Sequence, residues 1–523
     1  MKIHSRFKLM LGGLTRMLWK SIAIEYKSQF LWHLKASKAI LTKDNVLSMA
    51  KLLGKTVGFM FFASLATSCG SGLDILLDDI ALVQNATPPP AELTLDAAAI
   101  PPQNVHATAC RSDGNIQIRW NFSAIQDQSL AEYYIVYRLN GYVQKSALST
   151  DDTTLQGAQP SVVSAAVSSS GLNVTSRIGT FSLSSCSKSS TQITCLDTPA
   201  SVANYSYRIR ACTSSGVCSD FSTADVGRND NIPTTADYTA LPSGGATLSN
   251  TPQPSRVVYF QDAGNNRLAV IDNLINRVRV YTISTYSAAL LGFTELGGSP
   301  VVSFTGSPSD VAASGTSLFV AYPSENLVRR FAHTSYAAAA DTYGDGASET
   351  TLNNPTGVFI ETAGDLWIAD NGNHRLLRIS AATFGNAANS IIGSFGNEPD
   401  QFSGVNAVAS DGTNVYALDA SQHKVKVFDK ASGAYVFSFG EQGSSDNQFS
   451  FPTDIDYHSV SSRVYITDTG NRRILSFNAV NGCQDKKFTT SLTQPEGLSI
   501  DRVNNRLLLT NRLDNRVYKI NSP

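Results

Sequence analysis

The strongest local signal in the chain is alternation. In Asn115-Ile-Gln-Ile-Arg-Trp120, Ile116, Ile118 and Trp120 fall on one face of an extended strand and Gln117 and Arg119 on the other. Tyr133-Tyr-Ile-Val-Tyr-Arg138 predicts a second strand, turned back by Asn140-Gly141. Tyr205-Ser-Tyr-Arg-Ile-Arg-Ala211 predicts another, and Ser219 to Val226 closes the set. Short strands separated by turn signals predict a two-sheet sandwich over 101–228.

Beyond residue 250 a longer period takes over. Leu366-Trp-Ile-Ala-Asp370 followed by Asn371-Gly-Asn-His-Arg375 is the template of a unit present six times. The position equivalent to its Asp falls at 272, 322, 370, 419, 468 and 511, at spacings of 50, 48, 49, 49 and 43, with the copy around Leu318 to Tyr322 degenerate and Asn511 in the last. A short apolar strand precedes each unit, opened in most copies by proline, as in Pro308-Ser-Asp310, Pro355-Thr-Gly357, Pro452-Thr-Asp454 and Pro495-Glu-Gly497. Units of this kind bury their apolar faces on one another, so none is stable alone.

Composition then limits the function. With 523 residues, 42% hydrophobic and 16% charged, the chain has a sizeable core and is not wholly disordered. Its net charge of −1 conceals an asymmetry. Residues 1–68 hold 11 basic and 2 acidic residues; the remainder holds 30 basic and 40 acidic. A body that acidic is a poor partner for nucleic acid or anionic lipid.

Lys51 and Lys55 precede the apolar run Thr56 to Thr67, which ends at Ser68-Cys69. About a dozen apolar residues after a basic segment describe a secretory signal, too short to span a bilayer. Met49 to Ser68 forms a complete signal peptide, so translation is expected to start at Met49. The other reading makes residues 1–48 an extension with a basic amphipathic helix around Phe7 to Ile24. Leu65-Ala-Thr-Ser-Cys69 resembles the bacterial lipoprotein signal, though its Leu lies one place farther from the Cys than usual. The resemblance implies lipidation of Cys69 and, with no Asp after it, transport to the outer membrane. Residues 1–68 are then a leader, and the Pro- and Ala-rich 69–100 a tether.

Residues 101–228 resemble a fibronectin type III domain through Pro102-x-x-Val105-x-Ala107, Trp120 and Tyr205-x-Tyr207-x-Ile209-x-Ala211. Leu196, Pro199 and Tyr205 are similar to that family's tyrosine corner. Five cysteines fall in this segment. Cys186 and Cys195 flank one turn, and Cys212 and Cys218 span a hairpin, so both pairs are expected to be disulfides in an oxidising compartment, with Cys110 and Cys483 left over. A zinc cluster is the competing reading; it lacks any C-x-x-C, and His106 is the domain's lone histidine.

Residues 254–523 resemble the NHL repeat, which implies a six-bladed β-propeller with four strands per blade. The chain stops one strand short, so Tyr238 to Leu241, in the 229–253 linker, is expected to close the last blade. The fold class is therefore all-β, a fibronectin type III-like sandwich followed by an NHL-type propeller.

Recurrence of the Asp and Arg positions speaks for scaffolding, because a site needs asymmetry. No catalytic residue is assigned. His374 and His423 share a register on neighbouring units, the one hint of a metal pair. Asymmetry enters at the third residue of the P-x-G unit, read as Gly357 and Gly497 in two blades and as Asp310, Asn406 and Asp454 in three others. These oxygens are expected at the channel mouth, either as a small-ligand or Ca²⁺ site or as solvated polar caps. Otherwise no cofactor is implied. Two functions follow: a membrane-anchored scaffold binding protein or glycan, or a propeller hydrolase (lactonase-like) or lyase.

Overall fold

The computed structural model describes residues 101–521, apart from 109, 112, 122–132, 146–158, 165–173, 176–182, 190–191, 213–217, 229–235, 239–245, 248–252, 287–290, 296–300, 304–305, 334–338, 345–350, 385–387 and 490–491. The leader, Met49, Cys69 and the tether lie outside the described residues. Those described are almost entirely β-strand and short turns.

Alternation builds the N-terminal module as expected. One sheet orders Gln103–Thr108, Ile116–Asn121, Gln192–Asp197 and Leu183–Lys188. The other orders Val174–Thr175, Gln159–Ser164, Tyr133–Asn140, Asn204–Cys212 and Asp225–Arg228. Their inner faces share one core, in which Trp120 meets Tyr134 edge-on at 5.5 Å and Ile118, Val136, Ile193 and Ile209 are fully buried. Tyr205 donates its hydroxyl to the Ser201 carbonyl at 2.9 Å and pins the crossover into its own strand. Cys186 bonds Cys195 and Cys212 bonds Cys218.

Six small antiparallel sheets follow. Their first strands are Pro254–Asp262, Asp310–Ala313, Pro355–Ile360, Val405–Ser410, Pro452–His458 and Pro495–Asp501. Each sheet then adds strands outward in chain order. What holds them is a set of six apolar clusters, one at each junction. Val320 and Tyr322 pack on Ile271 and Val278; Leu366 and Ile368 on Phe319 and Val328; Val405 and Phe428 on Trp367 and Leu376. Val464 and Phe477 pack on Leu418 and Val427, and Leu498 and Leu507 on Tyr465 and Ile474. The sixth cluster joins Leu508 and Val517 of the last sheet to Val257 and Leu268 of the first, so the sheets close a propeller-like ring.

The closing strand is displaced from its expected place. Ala246–Thr247 pairs antiparallel with Arg516–Asn521 as the fourth strand of the sixth sheet. Ala236–Tyr238 pairs instead in parallel with Gln484–Phe488, a fifth strand on the preceding sheet, and Leu241 lies outside the described residues. Of the two described linker segments, the one nearer the sandwich in sequence therefore extends one sheet and the later one completes the last.

Candidate functional site

The repeated acidic position ties turns to loops. Asp370 is fully buried; its Oδ1 accepts the Asn353 amide at 2.7 Å, and its Oδ2 accepts Asn373 Nδ2 and Arg375 Nε, each at 2.8 Å. Asp468 repeats the pattern with Ser450, Asn471 and Arg473. Asp419 accepts the Ser403, Gly404 and Gln422 amides. Asn511 does the same for Thr493 and Gln494. Each such residue stitches the turn after its strand to the incoming loop, so the recurring Asp is part of the frame.

The axial position follows a different rule. Sheet register fixes it as the residue two places after the one opposite the repeated Asp. Gly357 faces Ala369, Ala407 faces Leu418, and Asp454 faces Thr467. Asn406 is therefore one residue out of register with Asp310 and Asp454, and Ala407 holds the place assigned to it. The fourth inner strand has no opening proline, so the offset was invisible in the sequence. In the first sheet the same place, opposite Ile271, belongs to Arg256, which sequence reasoning missed although Pro254-Ser-Arg256 carried the signal.

Arg256, Asp310 and Asp454 meet. The Arg256 Nε lies 3.7 Å from Asp310 Oδ1 and 3.8 Å from Asp454 Oδ2. Its Nη2 donates to the Thr453 carbonyl at 2.8 Å and its Nη1 to the Glu496 carbonyl at 3.2 Å. Each carboxylate also clasps the next sheet. Asp310 accepts the amides of Val311 and Val358 at 2.8 Å each. Asp454 accepts those of Ile455 at 2.9 Å and Leu498 at 2.8 Å. Burial pushes both carboxyls above the usual range, against the opposing pull of Arg256. Where no Asp clasps, backbones close in. A Cβ on Gly357 would come within 2.5 Å of the Asn406 carbonyl, and one on Gly497 within 2.5 Å of the Ser255 carbonyl.

This set does not fit calcium. All four carboxylate oxygens already accept an amide, a guanidinium stands between them, and Asn406 is out of register. Among the described residues no three His, Cys, Asp or Glu side chains are grouped to hold a metal.

The turns after the second strands end in a left-handed residue in every sheet: Asn276, Asn326, His374, His423, Arg472 and Asn515, with φ between 52° and 58°. His374 and His423 do not pair. Each ring instead meets a phenylalanine, Phe395 at 4.7 Å and Phe451 at 5.9 Å.

The sandwich and the ring are joined by a seam. Cys110 bonds Cys483, 373 residues away. Asp225 accepts Lys424 Nζ at 2.6 Å and the Ala107 amide at 3.0 Å. Tyr142 donates to Asp400 at 2.8 Å, and Arg119 pairs with Glu441. His106 Nδ1 faces Asp225 at 3.8 Å and Glu441 at 4.0 Å in a cleft also lined by Lys424 and Asn447. None of these cross-module partners was foreseen, because no local pattern marks a contact between segments so far apart, 199 residues or more.

Residues 352–379 match the family model described as NHL repeat. Over 112 residues the chain is 29% identical to the protein brain tumor of Drosophila melanogaster, a match covering 21% of this chain and 11% of that protein. The chain thus spans about a tenth of the length of that curated relative. Among solved structures, hydrazine synthase of Kuenenia stuttgartiensis is similar with a TM-score of 0.38 and 12% identity, covering 52% of this chain and 96% of that one. The fold and the repeat define the class: an all-β, propeller-like chain bearing an NHL repeat.

Proposed function

We propose that this chain is an exported, lipid-anchored scaffold of the bacterial cell envelope, in which a fibronectin type III-like sandwich and a six-bladed NHL propeller act as one body that binds a protein or glycan. The axis carries this reading. Arg256 stands in it between two carboxylates whose four oxygens each accept a backbone amide, an arrangement that suits a strut. Export is supported by the signal-like run ending at Cys69 and by the pairing of all six other cysteines.

Two measurements test it. Cells expressing the full chain should incorporate labelled palmitate into it, and Cys69→Ser should abolish the label. The purified chain should not turn over lactone or ester substrates with or without calcium. Turnover lost on Asp454→Asn in a variant that remains folded would replace the scaffold with the lactonase-like hydrolase.

A further inference from the structure

On the loop face of the ring two phenylalanines break the pattern of their own repeat. Phe395 and Gln442 are equivalent, since each bridges the phenylalanine seven residues on, Phe402 and Phe449. Phe451 immediately precedes the first strand of its sheet, where the two preceding sheets have Asn354 and Gly404. Both phenylalanines are 71% exposed. Phe451 also adopts φ 47°, a left-handed conformation that Asn354 takes readily and a phenylalanine does not. An exposed, strained aromatic gains nothing for the fold.

The two are on one surface. The loops carrying Phe395 and Phe451 pass over the turns of adjacent sheets, and each ring stands against the left-handed histidine of its turn. On the next sheet that position holds the exposed Arg472, with which no carboxylate pairs among the described residues. In the loops that carry the two rings, Glu398 and Asp400 bond the sandwich and Asp446 pairs with Lys487. Two exposed aromatics beside the turns of adjacent sheets are thus followed, at the same turn position of the next sheet, by an unneutralised cation.

We propose that Phe395, Phe451 and Arg472 form a docking surface for a polypeptide segment that presents apolar side chains beside a carboxylate. The proposal rests on the scaffold reading and names its partner's chemistry. Apolar side chains cover the two rings, and the carboxylate answers the guanidinium in a fork geometry that lysine would not supply.

The probe is a phage-displayed library of random dodecapeptides, panned on the full chain. Enriched peptides should combine Leu, Ile, Phe or Trp with Asp or Glu. Their synthetic copies should bind at least tenfold more weakly to F395Q/F451N, which installs the residues of the equivalent loops, and to R472E. R472K should lose less than R472E, and the melting temperature of F395Q/F451N should not fall. No enrichment on the native chain over F395Q/F451N overturns the surface. Peptides that bind equally to all variants do so too, while leaving the scaffold reading in place. A glycan array that binds the native chain but not F395Q/F451N would assign the surface to sugar and refute the peptide. Catalytic turnover would instead refute the scaffold reading itself.

Discussion

Arg208 donates from Nη1 and Nη2 to the two carboxylate oxygens of Glu398, at 3.1 and 2.9 Å, with its side chain wholly buried between the two modules. The same guanidinium donates to the carbonyls of Ser222 and Val143. A forked ion pair whose two terminal nitrogens also donate to carbonyls is a geometry in which a buried charge is retained, although the buried Nε has no partner among the described residues. Removing one partner strands the other. Arg208→Ala should therefore destabilise the chain by about 3–5 kcal/mol in denaturant unfolding. Glu398→Gln should cost less, because the amide oxygen still accepts one bond. Equal, negligible losses would show that the modules are not held here.

The covalent clasp of the same seam makes a second expectation. Cys110–Cys483 closes a loop of 373 residues that includes most of both modules. Cys110→Ser/Cys483→Ser should lower stability by about 2–5 kcal/mol. It should also separate the unfolding of sandwich and ring into two steps. Non-reducing peptide mapping of the native chain should recover the two cysteines in one linked fragment.

How much of this was legible depended on range. Strands and turns were readable because alternation and period are local: Ile116, Ile118 and Trp120 are buried while Gln117 and Arg119 are not. The two short-range disulfides were readable because turns place their ends together. Register across a sheet was less so, and Asn406 was assigned to the place of Ala407 because its strand lacks the proline that marks the others. Arg256 escaped since the first unit was not counted among the P-x-G units. The seam escaped altogether, for Arg208 and Glu398 look like ordinary surface charges until the fold brings them together.

Acid and base should act oppositely on the two buried ionic clusters. Burial raises Asp310 and Asp454 above the unfolded carboxyl range. A group raised on folding contributes stability fully below its unfolded pKa, about 4, and loses it as pH climbs through its folded value. Burial would raise Asp225 as well, but Lys424 and His106 outweigh it and hold that carboxyl far below the usual range. Its contribution is present above pH of about 4 and is lost as pH falls further. Asp454→Asn should therefore cost more at pH 5 than at pH 8, whereas Asp225→Asn should cost less at pH 3 than at pH 7. Unfolding free energies at these pH values check both; a matching sign for the two variants would contradict the assignment.

Phe451 supplies the last expectation, because its conformation and its exposure pull in one direction. At φ 47° its Cβ crowds the following carbonyl, a cost of about 1–2 kcal/mol that asparagine largely avoids. Its ring is 71% exposed and recovers little by burial, its one ring contact among the described residues being His423 at 5.9 Å. Phe451→Asn should accordingly leave the melting temperature unchanged or raise it by a few degrees, while Leu508→Ala, in the cluster that joins the last sheet to the first, should cost about 2–5 kcal/mol. A fall in stability for Phe451→Asn comparable to that for Leu508→Ala would make the phenylalanine part of the core packing and remove the reason to regard it as retained for contact with another molecule.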